Sequence, residues 1–407
     1  MSENKDNSYE KIDLVKDTID NSDIDSLIEW LKTYPRLTKG PKTIEFEEKW
    51  SKWIGCKYSV FVNSGSSANL LMLAAILELY NLRNKLVVVP SLGWATDLAP
   101  VMQLGFRPIL VDVDMSNLAV DVDHLEHIFK EQKPAAMLLV SVLGLSPRMN
   151  EIVSLCKKYN VILLEDNCES QGTKYDGVKL GNFGLMSAFS TYFGHTMSTI
   201  EGGMVSTNDK SVYDMLKQLR SHGWDRDLDS DSQKELRDKW NVSDFSALYT
   251  FYVPGFNVRS TDLQAVIGMK QLEKVDEMIT QRHKNFQLFK EKLSPYTWFP
   301  QEVSGSYTAS FCIPIVANSP EEKQEIVKEL LSKNVECRPL ICGSMGTQPF
   351  YIKKYGRLEL PNVTKLDACG LYIPNHPKLT EEEIERMCNC IIDVVTDYGQ
   401  RENMGEQ

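Results

Sequence analysis

The chain has 407 residues, of which 42% are hydrophobic and 25% charged, enough for a full apolar core and for one large domain with a smaller one beside it. Its net charge of −11 argues against a general nucleic-acid surface, which draws on dense Lys and Arg, so any anionic ligand must be held by a local cluster. The longest apolar runs, such as Ala135 to Leu145, fall short of the ~20 residues that a membrane span requires.

The first residues, "MSENKDNSYEKIDLVKD", are polar and mixed in charge with no apolar stretch of a signal peptide, so a cytoplasmic enzyme is expected. The nine cysteines then read as reduced thiols. Their tightest pair, Cys388-Asn389-Cys390, has helical spacing and reads as packing rather than as a zinc or iron-sulfur site, so no metal is expected.

The first chemically suggestive stretch is "VFVNSGSSANLLMLAAILE", residues 60–78. A short apolar strand enters a turn of small residues and then an Ala- and Leu-rich helix. The amides at that helix start could hold a phosphate around Gly65 and Ser66, although an ordinary serine cap gives the same string.

From Lys85 onward the runs "KLVVVP", "RPILVDVD", "AAMLLVSVLG", "VILLEDN", "LMSAFS" and "GGMVST" alternate with helix-like segments such as "DVDHLEHIFKEQ". That rhythm predicts an α/β fold with a mostly parallel central sheet flanked by helices, whose ligands sit at the carboxyl ends of the strands. "VILLEDNCES" delivers Glu165 and Asp166 to such an end. A carboxylate buried there needs a cationic partner, which a protonated ring nitrogen would supply; a turn acid is the competing account. Glu169 is either a second polar contact or a surface residue. Ser190 and His195 follow in "AFSTYFGHTMSTIEGG", where the glycines permit a tight turn.

Past residue 283 the rhythm changes. "SFCIPIVA", "SPEEKQEIVKELLSKN", "VECRPL" and "TEEEIERMCNCIIDVVTDYG" predict a small C-terminal α+β domain over 284–407, after an N-terminal arm and large domain over 1–283. The segment beginning "STDLQAVIGMKQLEKV" is expected to be the helix joining them, and "KELRDKWNVSDFSALYT" a loop of the ligand pocket.

The motifs "NSGSSANL", "SLGWATD", "LEDNCES", "FSTYFGH...EGG", "RSHGWDR" and "PGFNVRSTDLQAVIG" occur in the order found in the DegT/DnrJ/EryC1/StrS sugar aminotransferases, and the chain resembles that family from about Leu37 to Pro377. The resemblance implies the fold-type I pyridoxal phosphate-dependent transferase fold, homodimers with shared active sites, and nucleotide-linked keto-sugar substrates. It also implies residue roles. Gly65, Ser66 and Ser190 would hold the cofactor phosphate, Trp94 would stack on the pyridine ring, Asp166 would pair with its nitrogen, and Glu169 would add a polar contact. Asn257 would reach the phosphate of the neighbouring subunit, and His222 the sugar or a proton in transit. Arg259 and Arg338 would bind glutamate carboxylates or the diphosphate, with an ordinary interdomain arginine equally open for Arg338. His376 is expected to be structural or at the pocket edge.

His195 stands where this family's aminotransferases carry the lysine that bonds to the cofactor, and imidazole offers no primary amine. The resemblance therefore points to the branch that removes the C3 hydroxyl from GDP-linked 4-keto-6-deoxy sugars, with pyridoxal or pyridoxamine phosphate held noncovalently, glutamate regenerating the amine, and His195 as base. An iron-sulfur-dependent relative would need four suitably spaced cysteines. A conventional aminotransferase that tolerates His195, and a non-catalytic family member, are the competing readings.

Overall fold

Strand formation begins with runs that bury both faces. The structure, a computed structural model, describes residues 9–404. Strands β1 (Tyr58–Val62), β2 (Leu86–Pro90), β3 (Arg107–Val111), β4 (Ala136–Val140), β5 (Ile162–Asp166), β6 (Met186–Ser190) and β7 (Gly203–Thr207) form one sheet in the order β1-β7-β6-β5-β4-β2-β3. β2 pairs in parallel with β3 and β4, β4 with β5, and β5 with β6, whereas β7 runs against both of its neighbours.

The two-residue period of each strand sorts its side chains into two cores. Val87, Val89, Leu138 and Leu164 pack with Leu71 and Met72 of the helix Gly65–Leu79 on one face. Val88, Met137, Leu139 and Leu163 meet the helices Val122–Gln132 and Met149–Tyr159 on the other. The expected α/β layering is therefore present.

Register places the site. Val62 lies opposite Gly203, Gly203 opposite Ser190, Asp166 opposite Ala188, and Val140 opposite Asp166. The turn after β1 and the ends of β4, β5 and β6 thus meet at one edge of the sheet.

The helix Asp262–Leu293 starts at a capping box of Thr261 and Gln264 and runs unbroken through position 283. Beyond it, β8 (Cys312–Val316), β9 (Arg338–Pro339) and β10 (Gly370–Pro374) form an antiparallel sheet in the order β8-β10-β9. It packs with the helices Pro320–Ser332 and Glu381–Met404, and Cys388 and Cys390 are buried in that core. The N-terminal arm joins this unit, with Ile12 donating to the Asn334 carbonyl and accepting from Glu336 N, each at 3.0 Å.

One expectation fails. The segment expected to be a pocket loop holds the helices Ser230–Trp240 and Asp244–Ala247. Ser230–Trp240 buries none of its residues, so no apolar stripe announces it; Asp229 caps it by accepting from Ser232 N. Among the described residues no helix is long and apolar enough to cross a membrane.

Candidate active site

A cavity of about 620 Å³ opens at the carboxyl edge of the sheet, lined by Gly65, Ser66, Trp94, Asp166, Glu169, Ser190, His195 and Arg338 among others. Eight of the expected site residues, far apart in sequence, therefore converge there.

The turn after β1 has the geometry to receive an anion. Ser64 caps the helix Gly65–Leu79 by accepting from Ser67 N at 3.1 Å, leaving the Gly65 and Ser66 amides at the helix start, where the macrodipole favours negative charge. A Cβ on Gly65 would lie 2.7 Å from Ser190 Cβ and 2.8 Å from Cys168 Sγ, so only glycine lets the turn sit against β6. Ser190 also accepts from Tyr192 N at 3.3 Å.

Asp166 ends β5 buried, accepting from Cys168 N at 2.8 Å and from Asn69 Nδ2. Asp97 lies beside it, buried, on the helix Ala95–Gln103, and accepts from Trp94 N at 2.6 Å. Burial, and then the Asp166 charge, push the Asp97 carboxyl well above the usual carboxylate range. Trp94 is 54% exposed, leaving its indole free to cover a ring. Glu169 accepts from Leu143 N at 2.7 Å; burial raises its carboxyl to about 7, with the Asp166 charge adding and the Leu143 amide opposing.

His195 sits half-buried in the loop between β6 and β7, with its backbone N donating to the Tyr192 carbonyl at 2.9 Å. Its ring faces Phe311 at a centroid distance of 5.3 Å, and Nδ1 is buried without a hydrogen-bond partner. Burial lowers its pKa to about 4; the Asp166 charge opposes this and Arg282 reinforces it. The imidazole is therefore neutral at physiological pH.

Arg282, itself buried, donates through Nη1 to the Phe311 carbonyl at 2.8 Å and to the Asn375 carbonyl, so it fixes the wall behind His195. Arg338 lines the mouth, half-exposed and paired with Glu336.

His222, Asn257 and Arg259 do not line this cavity within one chain. They form a second group: Arg259 Nε donates to Asn257 Oδ1 at 3.1 Å, and both His222 and Arg259 lie against Trp224. His376 is buried near Arg282, away from the cavity lining.

Sequence reasoning missed Asp97, Asn69, Phe311 and Arg282. The first two had a signal: Asp97 is three residues after Trp94 at a helix start, and Asn69 one turn beyond Gly65. Phe311 precedes β8 and Arg282 lies in the helix Asp262–Leu293, and no local pattern joins either to His195.

The groups present suit a phosphorylated pyridine. A glycine-tight helix start matches the phosphate, a buried carboxylate matches a protonated ring nitrogen, and an uncovered indole matches the ring face. The model of the DegT/DnrJ/EryC1/StrS aminotransferase family matches residues 17–392. GDP-4-keto-6-deoxy-D-mannose 3-dehydratase of Yersinia pseudotuberculosis is 34% identical over 363 residues, covering 87% of this chain and 92% of its own. The solved structure of the E. coli GDP-4-keto-6-deoxy-D-mannose-3-dehydratase with bound hydrated PLP, pyridoxal phosphate, has a TM-score of 0.86 at 30% identity over 94% of this chain and 99% of that one. A GDP-4-keto-6-deoxymannose-3-dehydratase with a trapped PLP-glutamate geminal diamine gives 0.86 at 30% over 93% and 99%. Agreement over nearly the whole length, in sequence and in fold, means that the chain belongs to the DegT/DnrJ/EryC1/StrS aminotransferase family.

Proposed function

We propose that this chain is a pyridoxamine phosphate-dependent 3-dehydratase of a nucleotide-linked 4-keto-6-deoxy sugar, with glutamate as amine donor. GDP-4-keto-6-deoxymannose is the favoured substrate, because it is named in the relatives that align over most of the chain. One observation carries this reading: among the described residues lining the cavity there is an imidazole, His195, and no lysine. A site without a primary amine cannot bond its cofactor covalently and must hold it by the phosphate, the ring nitrogen and the ring face.

Gly65, Ser66 and Ser190 hold the phosphate, Asp166 keeps the ring nitrogen protonated, Trp94 covers the ring and Glu169 adds a polar contact at its edge. The chemistry such a cofactor supplies is an amine for the C4 ketone and an electron sink that lets the C3 hydroxyl depart. His195 takes a proton from the carbon bearing the amine at an imidazole nitrogen and gives it to the departing hydroxyl. Burial keeps that imidazole unprotonated at neutral pH, with its lone pair open. The large unit, 1–283, holds the cofactor, and the small one, 284–407, closes the cavity with Phe311, Arg338 and Tyr372.

The protein acts as a homodimer. Phe245 and Tyr249 are 85% and 79% exposed on the chain segment before Asn257, an apolar surface suited to a second copy. His222, Asn257 and Arg259 then serve the partner's cavity, Asn257 at the phosphate and Arg259 at carboxylate or diphosphate. The product would be a 4-keto-3,6-dideoxyhexose on the way to a sugar such as colitose in O-antigen lipopolysaccharide. Glutamate and nucleotide sugars are cytoplasmic metabolites, and the reaction belongs there.

The test is mass spectrometry of the sugar formed from GDP-4-keto-6-deoxymannose with pyridoxal phosphate and glutamate. A product lacking one oxygen, with ammonia released, is expected. A product carrying nitrogen at C4 would overturn the proposal in favour of transamination.

A further inference from the structure

We propose that Asp97 is a positioning residue whose carboxyl group stays protonated and donates to Asp166, holding the Asp166 carboxylate in its orientation toward the cofactor ring nitrogen. This rests on the reading that Asp166 meets that nitrogen.

Two carboxyl groups are buried side by side, Asp97 at 1% exposure and Asp166 at 5%. Asn69 Nδ2 serves both, reaching Asp97 Oδ1 at 3.3 Å and Asp166 Oδ2 more closely. The other donors are backbone amides, Trp94 N to Asp97 Oδ2 and Cys168 N to Asp166 Oδ1. The further titratable groups around Asp97 are Glu169, Cys168 and Cys342, none of them cationic. Two carboxylates in such a place cannot both ionise, because mutual repulsion and lost hydration act together. Asp166 has the closer side-chain donor, so it keeps the charge and Asp97 the proton. Burial and the Asp166 charge drive Asp97 in the same direction.

The arrangement also couples two functions. Asp97 sits in the first turn of the helix that starts after Trp94 and accepts that residue's amide, so one side chain fixes both the stacking aromatic and the aspartate. Room for it depends on Gly93, where a Cβ would lie 2.6 Å from Asp97 Oδ2.

Asp97→Asn keeps a donor of the same shape, whereas Asp97→Leu removes it. Infrared spectra of the cofactor-free protein at neutral pH should contain the carbonyl band of a buried carboxylic acid that disappears in Asp97→Asn. The affinity for pyridoxal phosphate, read by tryptophan quenching, should stay within about threefold in Asp97→Asn and fall roughly 10- to 100-fold in Asp97→Leu, the range for a hydrogen bond to a charged group. Absence of that band, or equal affinities of the two variants, would overturn the proposal. Should Asp97→Leu not fold, the infrared comparison still decides. Asp166→Ala separates the layers: if it binds the cofactor as wild type does, the placement of Asp166 is at fault rather than the role of Asp97.

Discussion

Replacing Gly65 by alanine tests the phosphate turn through its geometry. The added Cβ would lie 2.7 Å from Ser190 Cβ, 2.8 Å from Cys168 Sγ and 3.3 Å from Ser190 Cα. Carbon atoms rest at about 3.5–4.0 Å, so the first contact is short by about 1 Å. Ser190 is buried in β6 and its carbonyl accepts from Gln171 Nε2, so it cannot retreat. The helix start must move instead, at a cost of roughly 1–3 kcal/mol in stability. The same displacement draws the Gly65 and Ser66 amides off the phosphate, and charge-assisted bonds of that kind carry about 1.5–3 kcal/mol, or roughly 10- to 100-fold in Kd. Titration with pyridoxal phosphate measures the second effect and urea denaturation the first. Gly399→Ala, in a helix with nothing near the added atom, is the control and should bind cofactor normally. A Gly65→Ala protein with wild-type affinity and stability would refute the reasoning.

His195→Asn should fold and bind cofactor while losing about 10²- to 10⁴-fold in dehydration rate, the range for a positioned general base; a near-normal rate would remove His195 from that role. Borohydride reduction of the protein with pyridoxal phosphate should leave no adduct on a peptide lining the cavity, and peptide mapping that finds one would revive a covalent aminotransferase. Arg338→Gln should raise the KM for glutamate and leave single-turnover dehydration by preloaded pyridoxamine phosphate near normal, whereas a loss in the second assay would place Arg338 at the sugar. Burial lowers the pKa of His376 to about 4, so its stabilising contribution is full above ~6.5 and is lost as the pH falls through about 4. Between pH 7.5 and 5 that amounts to about 2 kcal/mol, and His376→Gln should flatten the pH dependence of urea denaturation by that much; an unchanged profile would show that another group is responsible.

The large sheet was legible because its strands are buried on both faces and read as continuous apolar runs. Val87 and Val89 serve one core while Val88 serves the other, a pattern that leaves nothing polar to blur the strand. The helix Ser230–Trp240 was not legible, since a surface helix held by an Asp229 cap and charged neighbours has no apolar stripe to show. β10 also escaped, a five-residue run that begins at Gly370, the C-cap of the helix Pro361–Cys369, with only that one residue to separate the two. Among the residues lining the cavity, Gly65, Ser66, Asp166 and Ser190 stood out by their place at a strand end or helix start. Asp97 did so only as a helix-cap acid, the commonest use of an aspartate there. Phe311 and Arg282 depend on how the antiparallel sheet packs against the helix Asp262–Leu293, and that is set by buried contacts such as those of Arg282 with Asn375 and Phe311 rather than by any short pattern.

A cavity with no lysine among its described residues to tether the cofactor places more on its other contacts. A covalent bond would fix the ring whatever the quality of its other contacts; without it, position depends on contacts that each contribute only a few kcal/mol. The structure concentrates them in rigid places. In the proposed placement, the phosphate end is a capped helix start pressed against β6, and the nitrogen end is a buried strand terminus with Asn69 and Asp97 behind it. His195 is held more indirectly. Its loop is pinned by Thr191 and Thr199, whose hydroxyls bond each other, and its ring is backed by Phe311, just before β8. On the proposed reading, cofactor placement is thus built into the large unit, whereas the base acts where that unit meets the small one. A change in how they pack should therefore alter turnover before it alters cofactor affinity, the reverse of the order expected for damage to the Gly65 turn.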